Sequence, residues 1–306
     1  MAMSPSKFIE TMKLYYYQDR VPNFGDELSP WLMPKIFPDF FDADETALFL
    51  GIGSIILDNL PAQSRKIVFG SGYGAYTKLP DFAAGWTFYG VRGPRTARAC
   101  GLGADMVLGD TAILIKKYRA PANPGRGIGF MPHFKSLPRG HWQEACATAG
   151  LRFINPTAPV LQVLAEIEGC GTLLTEAMHG AIVADALRVP WIPMQPIHRS
   201  NRMKWFDWAE ALQMELKHYR LWPSSLRESC TTLLGRGEAR FIRDAPDILQ
   251  CGVQSADQAF IRLAASRLKH LATMPPMLSK ASALAHAVER LEAAAARIRR
   301  DFSAGC

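Results

Sequence analysis

Nowhere does this sequence reach the roughly 18 consecutive apolar residues a membrane-crossing helix needs, so a spanning helix is not expected. Residues 1–17 hold no long apolar run and no cleavage pattern, which argues against a secretory signal and for a cytosolic location. Cysteine is sparse and scattered. Cys100, Cys146, Cys170, Cys230, Cys251 and Cys306 form no CxxC pair and have no close histidine partner. That excludes the usual structural zinc patterns and a disulfide framework, and implies a reducing compartment. HExxH, a P-loop and a nucleophile elbow are also missing, and GxGxxG is never completed, so dinucleotide binding is not expected. No metal and no cofactor are foreseen.

What remains is ordinary globular composition: 306 residues, 48% hydrophobic and 21% charged, enough for two domains of about 150 residues. The net charge is +7, and Ser255–Cys306 contributes more than half of it, with eight Lys/Arg against four Asp/Glu. Such an excess fits a solvated surface, an anionic substrate or an anionic membrane. Nucleic acid is not an expected partner, because the cations do not cluster with aromatics in a recognisable module.

Short apolar runs alternate with glycine turns over the first two thirds. Lys13–Tyr17, Ala47–Leu50, Ile67–Gly70, Thr87–Val91 and Met106–Leu108 read as buried strands. After the Pro/Gly break Ala120–Gly127, strands are expected at Ile128–Met131, Arg152–Ile154, Thr172–Leu174 and Trp191–Pro193. Helices are expected between them at Trp142–Ala149, Val160–Ile167 and Gly180–Leu187. Strands separated by helices indicate parallel sheets, since parallel neighbours need crossover connections. The pattern therefore predicts an α/β fold of two Rossmann-like domains facing a cleft, at 1–120 and 121–223, followed by C-terminal helices within 224–306 that pack back on the body. In that last region Ser224–Val253 reads as irregular, and Gln258–Leu271 and Ala281–Arg300 as helical. Leu284, Val288, Leu291, Ala295 and Ile298 recur at four-three spacing, an apolar seam for packing on the body, for a membrane surface or for another copy.

Polar residues collect where the strands end. Asn23-Phe24-Gly25-Asp26 follows the first strand and opens a helix, with Asp26 read as its cap and the free N–H groups as an anion pocket. Gly51-Ile52-Gly53-Ser54 and Gly70-Ser71-Gly72 follow the next two strands. Three small-residue turns in succession describe a backbone-lined crevice for an anionic ligand. Arg92, in Val91-Arg92-Gly93-Pro94, leaves a buried strand and must be paired or serve a ligand; Arg95 reads as solvated. His179 sits near the start of a helix, in Glu176-Ala177-Met178-His179-Gly180, and is suited to proton transfer. Glu176 either orients it or deprotonates a hydroxyl. His133 follows a strand and is a candidate cleft residue; His141, His218, His270 and His286 read as structural. The cation run at 198–205 reads as a solvated loop or as a phosphate clamp using Arg199, Asn201, Arg202 and Lys204.

In order, Asn23–Asp26, Gly51–Ser54, Val91–Pro94, Gly109-Asp110, Glu176–Ile182 and Asn201–Trp205 resemble the polysaccharide pyruvyltransferase family, and within it the group acting on succinoglycan- and xanthan-type exopolysaccharides. The series spans about Lys13 to Trp208. The resemblance implies a GT-B-like fold, phosphoenolpyruvate as donor without metal or cofactor, and the terminal sugar of a lipid-linked oligosaccharide as acceptor. A cytoplasmic location, with peripheral contact at the cytoplasmic face of the inner membrane through the last helix as one option, is the accompanying expectation. Arg92 and His179 would serve the donor, with Lys204 a further cation. Glu176 and Asp26 complete the catalytic set. Asn23, Gly25, Gly53, Ser54, Ser71, Gly72, His133, Arg199, Asn201 and Arg202 are the binding candidates. Many relatives carry an arginine where this chain has Ala177, and Gly-Asp-Pro where it has Gly109-Asp110-Thr111; Arg199 or Arg202 would compensate for the former. Rival readings are a nucleotide-sugar glycosyltransferase of the same architecture and a non-catalytic scaffold tethered to the membrane through the last helix.

Overall fold

The computed structural model describes residues 11–119, 125–195, 199–234 and 247–303, with 199–201, 233–234 and 247–253 described as backbone only. The strands are β1 (Met12–Tyr15), β2 (Phe41–Asp42), β3 (Ala47–Leu50), β4 (Arg65–Phe69), β5 (Trp86–Gly90), β6 (Ile128–Met131), β7 (Arg152–Phe153), β8 (Thr172–Thr175) and β9 (Trp191–Pro193). The first helices are α1 (Phe24–Ile36), α2 (Pro94–Ala99), α3 (Trp142–Ala149), α4 (Val160–Glu168) and α5 (Met178–Ala186). They are followed by α6 (Arg199–Ala211), α7 (Leu226–Leu234), α8 (Asp247–Leu271) and α9 (Ala281–Phe302). The chain folds as two compact units: Met1–Ala120 with Ser200–Leu216 and Ser279–Cys306, and Pro121–Arg199 with Lys217–Leu278.

The first unit holds a sheet of order β2-β1-β3-β4-β5, parallel throughout. Every residue of β3 is buried, which is why Ala-Leu-Phe-Leu reads as an unbroken apolar run rather than an alternation. Phe37 packs its ring against Phe49 (5.2 Å) and Phe69 (5.6 Å), and Phe40 meets Phe302 of the last helix (5.9 Å). Met106–Leu108 is not the expected strand: Ala104–Met106 is one 3-10 turn, and Val107 makes only an isolated bridge to Val91. The two-residue edge strand β2 carries no periodic signal and was not anticipated.

Two segments return to this unit from later in the chain. Residues 198–205, read as a polar loop or clamp, are largely helix α6, and from Ser200 onward they belong with the first sheet rather than with a contiguous 121–223 domain. Trp205, Trp208, Ala209 and Leu212 are buried at i, i+3, i+4, i+7 spacing, and this apolar stripe outweighs the polar run before it. Helix α9 packs back as expected. Its seam, Leu284, Val288, Leu291, Ala295 and Ile298, is buried. Tyr89 Oη donates to Asp301 (2.7 Å) and Arg299 Nη1 to the Ile36 carbonyl (2.9 Å). The seam is thus used internally.

The second unit holds the sheet β7-β6-β8-β9, again parallel. Its core joins Phe130, Trp142, Leu174 and Ile192 to Ile261 and Leu268 of α8. Ser224–Val253, expected to be irregular, contains α7 and the start of α8. Helix α7 opens on Ser225, whose Oγ accepts the Glu228 N–H (2.9 Å), and Ser225-x-x-Glu228 is the capping-box spacing that marks a helix start. Among the described residues no helix is long and apolar enough to cross a membrane.

In each sheet the second strand lies on one side of the first and the later strands on the other. Chain direction across the sheet therefore reverses between β1 and β3, and between β6 and β8. Open α/β sheets bind ligands beyond the carboxyl ends of strands at such reversals.

Candidate functional site

In the first unit the loop after β1 leads into α1. Asn23 caps this helix: its side-chain oxygen accepts the Asp26 N–H (3.2 Å) and its amide donates to Asp26 Oδ2 (2.6 Å). Asp26, expected as the cap, is instead the third helical residue, after the buried Gly25. Burial pushes its carboxyl above the usual range, opposed by the Asn23 hydrogen bond and the charge of Lys204 on α6.

The glycine turns after β3 and β4 serve two purposes. Gly53 has φ 115°, a backbone conformation for which only glycine is unstrained. Gly70 and Gly72 instead make room for protein side chains: a Cβ at Gly70 would overlap Thr111 Oγ1, and one at Gly72 the Arg92 guanidinium. Ser71 is buried and donates its hydroxyl to the Gly51 carbonyl (2.5 Å).

That guanidinium is the centre of the unit. Arg92 is 0% exposed; its Nε bonds Asp207 Oδ2 of α6 (3.1 Å) and its Nη1 donates to Ser54 Oγ (2.7 Å). Its Nη2 is buried and has no hydrogen-bond partner among the described residues. Asp207 also receives Thr96 Oγ1 (2.7 Å) and the N–H groups of Arg95 (3.0 Å) and Thr96 (2.9 Å). Helix α2 has Gly93 as N-cap, without a capping side chain, so Asp207 supplies the cap from another helix. A Cβ at Gly93 would overlap the Asp207 carbonyl, and Pro94 starts the helix where no N–H is needed. Val91-Arg92-Gly93-Pro94 is thus read out residue by residue. Arg95, expected to be solvated, has a side chain 32% exposed and forms an exposed pair with Glu210 (2.5 Å) over the Phe206 ring.

Asp110 is also wholly buried. It caps the turn Thr111–Lys117 by accepting the Ala112 N–H (3.0 Å), and burial pushes its carboxyl up to about 6 against the pull of Arg92, Ala112 and Lys204. The first unit therefore gathers Asn23, Asp26, Ser54, Arg92, Asp110, Lys204 and Asp207. Asp110 belongs to the Gly109-Asp110 motif, and its nearness to Arg92 and Lys204 has no local sequence mark. Asp207 was missed, since its partner Arg92 is 115 residues away in sequence and no local pattern marks it.

In the second unit Glu176 leaves β8 and is 1% exposed. Its Oε2 accepts the His133 backbone N–H (3.0 Å) and Ser136 Oγ (2.8 Å), tying the loop after β8 to the loop after β6. The His133 ring turns back to accept the Lys135 N–H through Nδ1 (3.2 Å). His179 is the second residue of α5 and is partly buried. Gly180 beside it lets the helix close on the sheet, as a Cβ would lie 2.8 Å from Met131 Sδ and Thr175 Oγ1. A further buried carboxyl, Glu228, accepts Ser224 N (2.8 Å), Ser224 Oγ (3.0 Å) and Trp142 Nε1 (3.1 Å). Burial pushes it up to about 7, and the Glu176 charge adds to the rise. Of the basic run, Lys204 and Arg202 are partly buried on α6, while the side chains of Arg199 and Asn201 lie outside the described residues.

The succinoglycan biosynthesis protein ExoV of Rhizobium meliloti (strain 1021) is 33% identical over 319 residues, an alignment covering 95% of this chain and 100% of that protein. The chain belongs to the ExoV family. No family model and no solved structure matches it. Because the likeness to ExoV runs nearly end to end, it takes in both units, together with the segments α6 and α9 that return to the first.

Proposed function

We propose that this protein, like ExoV by its name, acts in exopolysaccharide biosynthesis, and that it does so as a pyruvyltransferase making a pyruvate ketal on a sugar from phosphoenolpyruvate. The observation that carries the reading is the buried Arg92 fork at the strand ends of the first unit, anchored at two points and with its Nη2 amino group lacking a hydrogen-bond partner among the described residues. A planar cation so held suits a phosphate or carboxylate, and phosphoenolpyruvate carries both.

The reaction needs an acid, a base and cations. A proton adds to the methylene carbon of phosphoenolpyruvate, leaving an oxocarbenium-like C2. One sugar hydroxyl adds there and loses its proton, the C2–O bond to phosphate breaks, and a neighbouring hydroxyl closes the ketal and loses its proton in turn. Of the two protons released, one restores the acid and the other leaves with phosphate. Arg92 and Lys204 neutralise the donor's charges, and His179 donates the proton or orients the phosphate. Asp26 is preferred as base over Glu176, whose Oε2 already accepts two hydrogen bonds. The acceptor proposed is a lipid-linked oligosaccharide, reached from the cytoplasmic face of the inner membrane.

The test is acceptor-dependent phosphate release from phosphoenolpyruvate by the purified chain, with the product analysed for the ketal. Stabilisation by a nucleoside diphosphate sugar but not by phosphoenolpyruvate would transfer the assignment to a glycosyltransferase.

A further inference from the structure

We infer that Asp207 is the positioning residue of the donor site: it fixes the Arg92 guanidinium so that Nη2 is presented to a phosphate or carboxylate oxygen of the substrate. The inference rests on the reading that the first unit holds the anionic donor.

Asp207 has no capacity left for chemistry. Its Oδ2 takes Arg92 Nε and Thr96 Oγ1, and its Oδ1 takes the N–H groups of Arg95 and Thr96. Four donors fill the roughly four acceptor positions of a carboxylate. What it does is immobilise. With Nε on Asp207 and Nη1 on Ser54, the plane of the fork is set; Nη2 lies beside Gly72, whose lack of a Cβ leaves it room, and has no hydrogen-bond partner among the described residues. An unmade N–H on a buried cation is costly, and an arriving anion oxygen removes that cost. A fork held in advance also loses little freedom when it binds.

The same residue orders the second cation. Lys204 lies three positions before Asp207 on α6, a neighbour on the helix surface. Docking Asp207 on α2 and Arg92 fixes the part of α6 from which Lys204 acts on Asp26 and Asp110. One buried carboxylate thereby holds Arg92 directly and anchors the helix that carries Lys204, whose charge acts on Asp26 and Asp110.

The experiment compares Asp207→Asn with the unmodified full chain. Three quantities are measured: unfolding midpoint without ligand, stabilisation by phosphoenolpyruvate and by inorganic phosphate, and the separate KM values for donor and acceptor. Asn retains an oxygen for the α2 N–H groups but loses the charged partner of Nε. The expected result is a folded protein whose donor KM rises at least about tenfold with the acceptor KM unchanged. Ser54→Ala, which releases Nη1, is expected to raise donor KM in the same direction by about threefold. A folded Asp207→Asn protein with wild-type donor affinity, or with both KM values raised equally, would overturn the inference. Should that variant fail to fold, Ser54→Ala decides, and an unchanged donor KM there overturns it. If the unmodified chain binds a nucleoside diphosphate sugar in place of phosphoenolpyruvate, the pyruvyltransferase reading falls alone, and the same comparison is made with that donor. An unmodified chain that binds no phosphate-bearing ligand sinks both.

Discussion

Gly72 lies so close to Arg92 that a Cβ at this position would overlap both Cζ and Nη2 of the guanidinium. A turn that reads in sequence as a place for a ligand to meet backbone is here a place for an arginine to pass. Gly72→Ala must therefore displace the fork or the turn. The expected outcome is loss of at least about tenfold in phosphoenolpyruvate affinity together with a stability cost of about 1–3 kcal/mol from overpacking. Isothermal titration and thermal unfolding check the two parts.

Arg92→Ala and His179→Ala are both expected to abolish turnover, and from sequence alone both would leave the fold intact. The structure separates them. Removing Arg92 strands the buried Asp207 charge, a loss that typically costs about 3–5 kcal/mol. His179 is partly buried at a helix start, so its replacement should move stability by no more than about 1 kcal/mol. Denaturant unfolding of the two inactive variants distinguishes the cases, and full activity in either would remove that residue from the mechanism.

How far the sequence could be read follows from the range of the forces involved. Ala47–Leu50 and Ile128–Met131 were legible because a strand buried on both faces must be continuously apolar. Trp142–Ala149 was legible because its buried residues keep helical spacing. Helix α6 was obscured because its first turns are polar, although Trp205, Trp208, Ala209 and Leu212 carry the period. The start of α7 is marked by Ser225-x-x-Glu228, a local signal in a segment that otherwise reads as irregular. Among the candidate residues, Arg92 is legible because it closely follows β5, Ser54 because it sits in the glycine turn after β3, and Asn23 because it stands just before a helix. Asp207 is not, because a carboxylate inside a helix looks solvated until its distant partner is known. That α6 returns to the first unit is a long-range packing fact with no local code.

Stability should depend on pH through two buried carboxyls. Glu228 is raised from 4.5 to about 7 and Asp110 from 3.8 to about 6, burial being the largest cause in each. Each binds its proton more tightly in the folded chain than in the unfolded one. Their effect is therefore destabilising as pH rises through these windows, complete above the folded values and absent below the unfolded ones. The unfolding midpoint is expected to rise as pH falls from about 8 to about 6, and Glu228→Gln to flatten part of that slope, worth about 1–1.5 kcal/mol over this window. A midpoint that rises with pH in both proteins would contradict this assignment.

The last helix offers the sharpest test of where its apolar seam is spent. Leu291 and Ile298 are fully buried, Phe302 packs on Phe40, and Arg299 reaches the end of α1 at Ile36. A helix serving only as a membrane tether can be removed without harm to the body it anchors. One that completes a core cannot. Deleting residues 279–306 is therefore expected to leave the first unit unable to fold, giving insoluble or protease-sensitive protein rather than a soluble active enzyme. Because a deletion is blunt, Ile298→Ala is the finer probe: it should cost about 2–5 kcal/mol by opening a cavity, while leaving vesicle binding unchanged. A variant of wild-type stability that no longer sediments with anionic vesicles would instead place the seam on a membrane.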